Sequence, residues 1–277
     1  MSDAPLGVFD SGLGGLTVVR ALRARLPSER VVYLGDTARV PYGTRSPDTI
    51  LRYARSCASV LVERGVKSLV IACNTASAIA LEMLRAELDM PVIGVIDPGA
   101  EVAVQIAATL AEAGDARGGR VGVLGTTRTI ASGAYVRAVA GRSSRIEVIG
   151  QAAPLLVPLV EEGWIEGDVP RLAVERYLAP LIEAEVGAIV LGCTHYPLLK
   201  NLIADAAARL AGRPIAIVDS ADATAASVAE LLRSRELASR GNSAALELLV
   251  TDYPASFAAM AERCLGGAVG EVKEIDI

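Results

Sequence analysis

Short apolar, β-rich runs alternate along the chain with amphipathic stretches of helical length, separated by polar or glycine-rich turns. Leu6–Asp10, Val31–Gly35, Ser68–Ala72 and Val92–Asp97 predict buried strands. Asp48–Arg64 and Thr75–Leu88 carry the spacing of amphipathic helices between them. Arg120–Gly125, Arg145–Gly150, Ala188–Gly192 and Ile215–Asp219 continue the strand series, with helical Leu172–Glu185, Leu198–Leu210 and Ala221–Ser234 interleaved. Such alternation predicts an α/β protein whose parallel sheets are flanked by helices.

The two halves of the pattern match. Gly7–Ser11 (GVFDS) parallels Gly122–Thr126 (GVLGT), Val31–Gly35 parallels Ile146–Gly150, and Val66–Cys73 (VKSLVIAC) parallels Val186–Cys193 (VGAIVLGC). Order is preserved, and the first two matches lie equally far apart in each half. Buried parallel strands resemble one another in any such fold, so the cysteines at matched strand ends carry the case for a repeat. The expectation is two similar α/β domains, pseudo-two-fold related, with an active site between them. Asp97-Pro98-Gly99 reads as the crossing turn and Gly212-Arg213-Pro214 as the return. This assigns residues 1–97 and 212–277 to the first domain and 98–211 to the second.

Composition narrows the partners. A length of 277 residues suits one large or two modest domains, and 52% hydrophobic against 21% charged residues supports a buried core. No apolar run approaches the roughly 20 residues needed to cross a bilayer. The opening MSDAPLGVFD lacks the basic and apolar regions of a secretory signal, so a soluble, cytoplasmic protein without a membrane partner is expected. A net charge of −5 without a basic run argues against a nucleic-acid surface. Cysteines 57, 73, 193 and 264 are far apart, without a Cys-x-x-Cys, and His195 is the single histidine. Neither a disulfide framework nor a metal site is indicated.

Ligands of parallel α/β sheets gather at the carboxyl ends of the strands. Cys73 and Cys193 both fall there, followed by Asn74-Thr75 and by Thr194-His195-Tyr196-Pro197, each with a helix beyond. Helix N-terminal N–H groups favour a thiolate, and deprotonating an ordinary thiol at pH 7 costs only about 2 kcal/mol. A cysteine after an apolar strand is otherwise a small buried hydrophobe. That reading fits Cys57 and Cys264, which lie in helical stretches without polar turns. Two thiols in matching turns suit inversion at a Cα centre, where one removes a proton and the other delivers one to the opposite face.

Other turns hold compatible groups. Asp10-Ser11-Gly12-Leu13-Gly14-Gly15 follows the first strand and departs from the dinucleotide-binding G-x-G-x-x-G pattern. Asp36-Thr37, Pro41-Tyr42-Gly43 and Thr126-Thr127 add neutral donors able to hold carboxylates. Glu161 and Glu162 end an apolar segment, PLLVPLVEEGW, with the look of an exposed helix end. The three lysines, Lys67, Lys200 and Lys273, all lie outside these turns, which disfavours a pyridoxal-phosphate Schiff base; no cofactor is expected.

With these residues in view, the chain resembles the glutamate racemases of the aspartate/glutamate racemase superfamily. The resemblance rests on GVFDSGLGGLTV (7–18), GDTARVPYG (35–43), ACNTASA (72–78), GVIDPG (94–99), GTTRTI (125–130), VPLVEEG (157–163) and LGCTHYPLL (191–199). It implies cofactor-independent interconversion of L- and D-glutamate, supplying D-glutamate for peptidoglycan, by a two-domain enzyme that commonly forms homodimers. Cys73 would deprotonate the D-isomer and Cys193 the L-isomer. Asp10 and His195 would assist their neighbouring cysteines, with Glu161 supporting His195. Asp10, Ser11, Tyr42, Gly43, Asn74, Thr75, Thr126, Thr194 and His195 are the implied substrate contacts. The short N-terminus lacks the extension that binds a cell-wall precursor activator in some members, so that regulation is not expected. Residue spacing alone leaves open a racemase of aspartate or another acidic amino acid. A cysteine hydrolase using Cys193 with His195 leaves Cys73 unexplained, and a non-catalytic binding module remains the alternative of another class.

Overall fold

The computed structural model describes residues 3–239, 245–252 and 257–277. The chain divides into two compact units, one running to Val95 and resuming at Ala221, the other spanning Ile96–Ser220. The first unit opens with β1 (Leu6–Asp10), α1 (Leu16–Arg25), β2 (Val31–Gly35), α2 (Pro47–Glu63), β3 (Ser68–Ile71), α3 (Asn74–Glu87) and β4 (Val92–Gly94). The second contains α4 (Ile96–Glu112), β5 (Arg120–Gly125), α5 (Thr127–Ala131), α6 (Ala134–Ala140) and β6 (Glu147–Ala152). It continues with α7 (Leu156–Glu161), α8 (Asp168–Glu183), β7 (Ala188–Gly192), α9 (Lys200–Ala211) and β8 (Ala216–Asp219). The chain returns through α10 (Ser220–Ser234), β9 (Leu246–Val250), α11 (Phe257–Leu265) and β10 (Val272–Glu274).

Each unit is built on its own parallel sheet. The first has the order β10-β9-β2-β1-β3-β4 and the second β6-β5-β7-β8. The order β2-β1-β3-β4 thus recurs as β6-β5-β7-β8, and the strands matched in sequence hold equivalent places in their own sheets. Every residue of β1, β2 and β7 is buried, which is why these strands read as unbroken apolar runs rather than alternating ones.

Helix α2 shows how the local sequence sets an element. Ser46 caps it by accepting a hydrogen bond from the Thr49 N–H at 3.4 Å, and Pro47 opens the first turn, where its missing N–H is harmless. Ile50, Ala54, Cys57, Ala58 and Leu61 recur at helical spacing and face the core with Phe9, Leu34, Leu69 and Ile71. Burying Leu61 completely contributes about 1.5–3 kcal/mol. Gly65, at φ 70°, ends the element in the left-handed region, so a β-branched residue there would disrupt the stop.

Beyond shifts of a few residues, as in β6 (Glu147–Ala152 against Arg145–Gly150) and α8 (Asp168–Glu183 against Leu172–Glu185), two turn readings differ from the sequence expectation. Asp97-Pro98-Gly99 is not a turn: Val92–Gly94 is the strand, and Ile96 already begins α4. A proline in a helix's first turn forfeits no intrahelical hydrogen bond, so the motif starts a helix as readily as a loop. Gly212, at φ 66°, does end α9, but the following strand β8 pairs with β7 and belongs to the second unit. The return to the first unit therefore comes at Ser220, not Gly212. Among the described residues no helix is long and apolar enough to cross a membrane.

Candidate active site

In the first unit, β1 and β3 are neighbours, and their carboxyl ends bring Asp10-Ser11 beside Cys73. Cys73 adopts extended backbone (φ −67°, ψ 120°) as the residue that caps α3. Its Sγ accepts a hydrogen bond from the Ala76 N–H at 3.4 Å and lies 3.4 Å from the Ser11 hydroxyl. The sulfur thus accepts from the positive end of a helix, which favours a thiolate, and as a thiol can donate to the Ser11 hydroxyl. Asn74 and Thr75 form the first turn of α3 and are buried around it.

Asp10 is fully buried, and its Oδ2 accepts hydrogen bonds from the Gly12 N–H (3.1 Å) and the Gly15 N–H (3.0 Å). The carboxylate folds the glycine-rich turn back over the strand end. A Cβ on Gly15 would stand 2.5 Å from the Asp10 Cβ, so the close approach requires glycine there. Tyr33, beneath the turn, donates from its hydroxyl to the Gly12 carbonyl at 2.7 Å.

Tyr42 and Gly43 lie in a single 3₁₀ turn, Tyr42–Thr44, that packs against α3. The Tyr42 side chain is buried, and its hydroxyl donates a short hydrogen bond to Asp36 Oδ2. What this turn can offer a ligand is its backbone rather than the phenol. Burial, then the neighbouring Cys57 and Asp36, raise the Tyr42 pKa far above its ordinary value, so the hydroxyl remains a donor. The Asp36 carboxylate also accepts from Arg39 Nε (2.7 and 2.8 Å) and from the Thr251 hydroxyl (3.0 Å).

The second unit builds the other thiol differently. Cys193 follows β7 directly, and its Sγ lies 3.8 Å from His195 Nδ1. On the far side of the ring, Nε2 stands 3.2 Å from Glu161 Oε1, off the N–H direction, an ionic contact rather than an aligned hydrogen bond. Glu161 ends α7 and its side chain is 48% exposed, while that of His195 is 8% exposed. Burial pulls the imidazole pKa down, but contact with Cys193 and Glu161 outweighs it and holds the pKa up at about 10. Thr194 is buried beside Cys193. Thr126, at the end of the neighbouring strand β5, caps α5 by accepting from the Thr129 N–H at 3.2 Å. Tyr196 is buried and donates to the Ala153 carbonyl at 2.8 Å, pinning the turn that carries His195.

The remaining cysteines and lysines occupy other surroundings. Cys57 and Cys264 are fully buried in helices, and burial foremost pushes each thiol up to about 12. Lys67 precedes β3 at the amino edge of the sheet, opposite to Cys73. Its ammonium lies 2.5 Å from Glu29 Oε2, a buried contact, and donates to the Leu237 carbonyl at 2.8 Å. Among the described residues, no cluster of His, Cys, Asp and Glu could hold a metal ion.

The positions named from sequence thus form two polar groups. One holds Asp10, Ser11, Tyr42, Gly43, Cys73, Asn74 and Thr75; the other holds Thr126, Glu161, Cys193, Thr194 and His195. Sequence reasoning missed Tyr33, Arg39 and Thr251. Asp36 stood out as a polar residue at a strand end, but nothing local marked Thr251, which reaches it from 215 residues away.

The family model for Asp/Glu/hydantoin racemases matches residues 16–228. A glutamate racemase of Geobacter metallireducens is 48% identical over 98% of this chain and 96% of its own length. In structure, glutamate racemase isoform RacE1 from Bacillus anthracis aligns over 99% of this chain and 98% of its own, with a TM-score of 0.90 and 34% identity. Glutamate racemase from Francisella tularensis, solved in complex with D-glutamate, aligns over 100% of this chain and 98% of its own (TM-score 0.89, 33% identity).

Proposed function

The chain belongs to the Asp/Glu/hydantoin racemase family, among the glutamate racemases, and from that premise we propose that it interconverts L- and D-glutamate with two thiols and no cofactor. The observation that carries the two-thiol reading is the equivalence of Cys73 and Cys193. Each follows the third strand of the same four-strand order, β3 or β7, and each opens a polar turn, whereas Cys57 and Cys264 do neither.

The chemistry follows from the groups present. One sulfur, as thiolate, takes the Cα proton, and the other, as thiol, returns a proton to the opposite face. The Cα–H bond breaks to the first sulfur and a new Cα–H bond forms from the second on the opposite face, so the substrate leaves inverted and the two cysteines have exchanged protonation states. Cys193 works on the L-isomer and Cys73 on the D-isomer. His195 stands against the Cys193 sulfur, while the α3 terminus and the Ser11 hydroxyl stand against that of Cys73. Ser11, Asn74, Thr75, Thr126, Thr194 and the Tyr42-Gly43 backbone are neutral donors for the substrate carboxylates. The product D-glutamate supplies peptidoglycan synthesis.

Optical rotation followed from pure L-glutamate tests the reading. Decay to zero without added cofactor, with solvent deuterium entering Cα in D2O, supports it. Racemisation of L-aspartate but not L-glutamate would transfer the same chemistry to the shorter acid. Retention of optical activity with both would overturn the proposal.

A further inference from the structure

The segment after β9 reaches back to the turn that follows β2. Thr251 Oγ1 donates to Asp36 Oδ1 at 3.0 Å and accepts from the Ala38 N–H at 2.9 Å. One residue along, Thr37 Oγ1 donates to the Asp252 carbonyl at 2.5 Å and accepts from the Asp252 N–H at 2.9 Å. Two threonines, one on each side, therefore fasten residues 36–38 to residues 251–252. Asp36 passes the restraint on: the carboxylate that Thr251 touches also holds the Tyr42 hydroxyl and the Arg39 guanidinium. The guanidinium in turn lies over the Tyr53 ring, 4.3 Å from its centroid. Arg39 and Tyr42, on the way into and at the start of the Tyr42–Thr44 turn, are thus tied to the same buried carboxylate as Thr251.

We propose that Thr251 is a positioning residue for substrate binding, acting through Asp36 to fix the backbone of the Tyr42-Gly43 turn. The inference rests on the reading of that turn as a substrate-carboxylate site. It adds a residue that lies beyond residues 16–228, the span matched by the family model, in a segment that no strand-end motif marks. Only the hydroxyl matters to the contact, so serine can replace threonine and valine cannot.

The test compares Thr251→Val and Thr251→Ser in the full chain. Thr251→Val should raise KM for L-glutamate by about tenfold, the size of one hydrogen bond to a charged group, and leave kcat within about twofold. Thr251→Ser should restore the wild-type KM. Native-state amide exchange provides a readout independent of turnover. In Thr251→Val, exchange should accelerate across residues 37–44 and stay unchanged across residues 72–78. Thr37→Val, which breaks the adjoining contact, should accelerate the same segment even if Thr251→Val folds poorly. Unchanged exchange across 37–44 in Thr251→Val overturns the proposal, as does a loss of kcat that serine fails to restore. A wild-type protein that leaves glutamate optically active overturns the functional reading instead, while the exchange measurement still decides whether Thr251 holds the turn.

Discussion

The two thiol sites stand at equivalent strand ends yet are equipped by different means. Around Cys73 the nearby groups are a helix N-terminus, the Ser11 hydroxyl and a carboxylate, Asp10, that is occupied by two backbone N–H groups. Around Cys193 they are an imidazole and, behind it, a half-exposed carboxylate. The first site is a largely buried arrangement of a helix terminus, a hydroxyl and a carboxylate held by backbone N–H groups. The second contains an ionisable pair open to solvent at one end. Duplicated topology has therefore preserved where the sulfur sits and left its supporting chemistry free to differ.

The largest effects should come from the sulfurs themselves. Cys73→Ser and Cys193→Ser should each reduce kcat/KM by about 10³-fold or more, since a serine hydroxyl is a far weaker acid and base at neutral pH. Steady-state polarimetry with both enantiomers checks this. Full activity in either variant would end the comparison, because one site would then suffice. His195→Asn should come next, with a loss of about 10²-fold from removal of the imidazolium beside Cys193. The enantiomers are isoenergetic, so kcat/KM must fall equally in both directions. The asymmetry should show instead in the Cα-deuterium isotope effect, which should grow with L-glutamate and not with D-glutamate. Equal growth in both would mean that His195 serves the two sites alike.

A smaller, pH-dependent effect follows from His195 being held protonated. Its folded pKa of about 10 lies above the ordinary histidine value of 6.5. Folding therefore takes up a proton, and the resulting stability is fully present below about 6.5. It fades as the pH climbs through 10. Glu161→Gln removes one of the contacts that raise the pKa, so wild type should exceed this variant in stability near pH 6.5 and converge with it toward pH 10. Screening at the half-exposed Glu161 keeps the gap at about 1 kcal/mol or less. Denaturant midpoints measured across that range decide it; a gap that widens with pH has the wrong sign. No comparable trend is expected from Ser11→Ala, because a hydroxyl does not titrate there.

Much of this was legible in the chain because buried parallel strands announce themselves. The bounds of β1, β2, β5 and β7 coincide with apolar runs that no other element of similar length could bury. The thiol positions followed from those strand ends. Helix α4 was hidden because Asp97-Pro98-Gly99 is equally good as a turn and as a helix start, and only packing distinguishes them. The direction of the Tyr42 side chain was hidden for another reason. A tyrosine in a polar turn looks available to a ligand, but Asp36 takes its hydroxyl, and Asp36 is itself fixed by Thr251 from the far end of the chain. Contacts of that separation leave no periodic trace in sequence.

The smallest expected effect is the sharpest control on the whole comparison. Cys264 is as thoroughly buried as Cys73, and its thiol is pushed up to about 12, by burial first and then by the nearby Asp10. Burial alone therefore does not separate the cysteines; position at a strand end and contact with a polar turn do. Cys264→Ala removes one sulfur from the interior of α11 and should leave kcat/KM within about twofold, with a modest loss of thermal stability from the small cavity. Cys57 is a less clean control, since its sulfur lies 3.9 Å from both the Tyr42 hydroxyl and Arg39 Nη2 and so touches the turn-positioning cluster. If Cys264→Ala abolished turnover while remaining folded, strand-end position would not be what distinguishes a working thiol, and the equivalence drawn between Cys73 and Cys193 would lose its force.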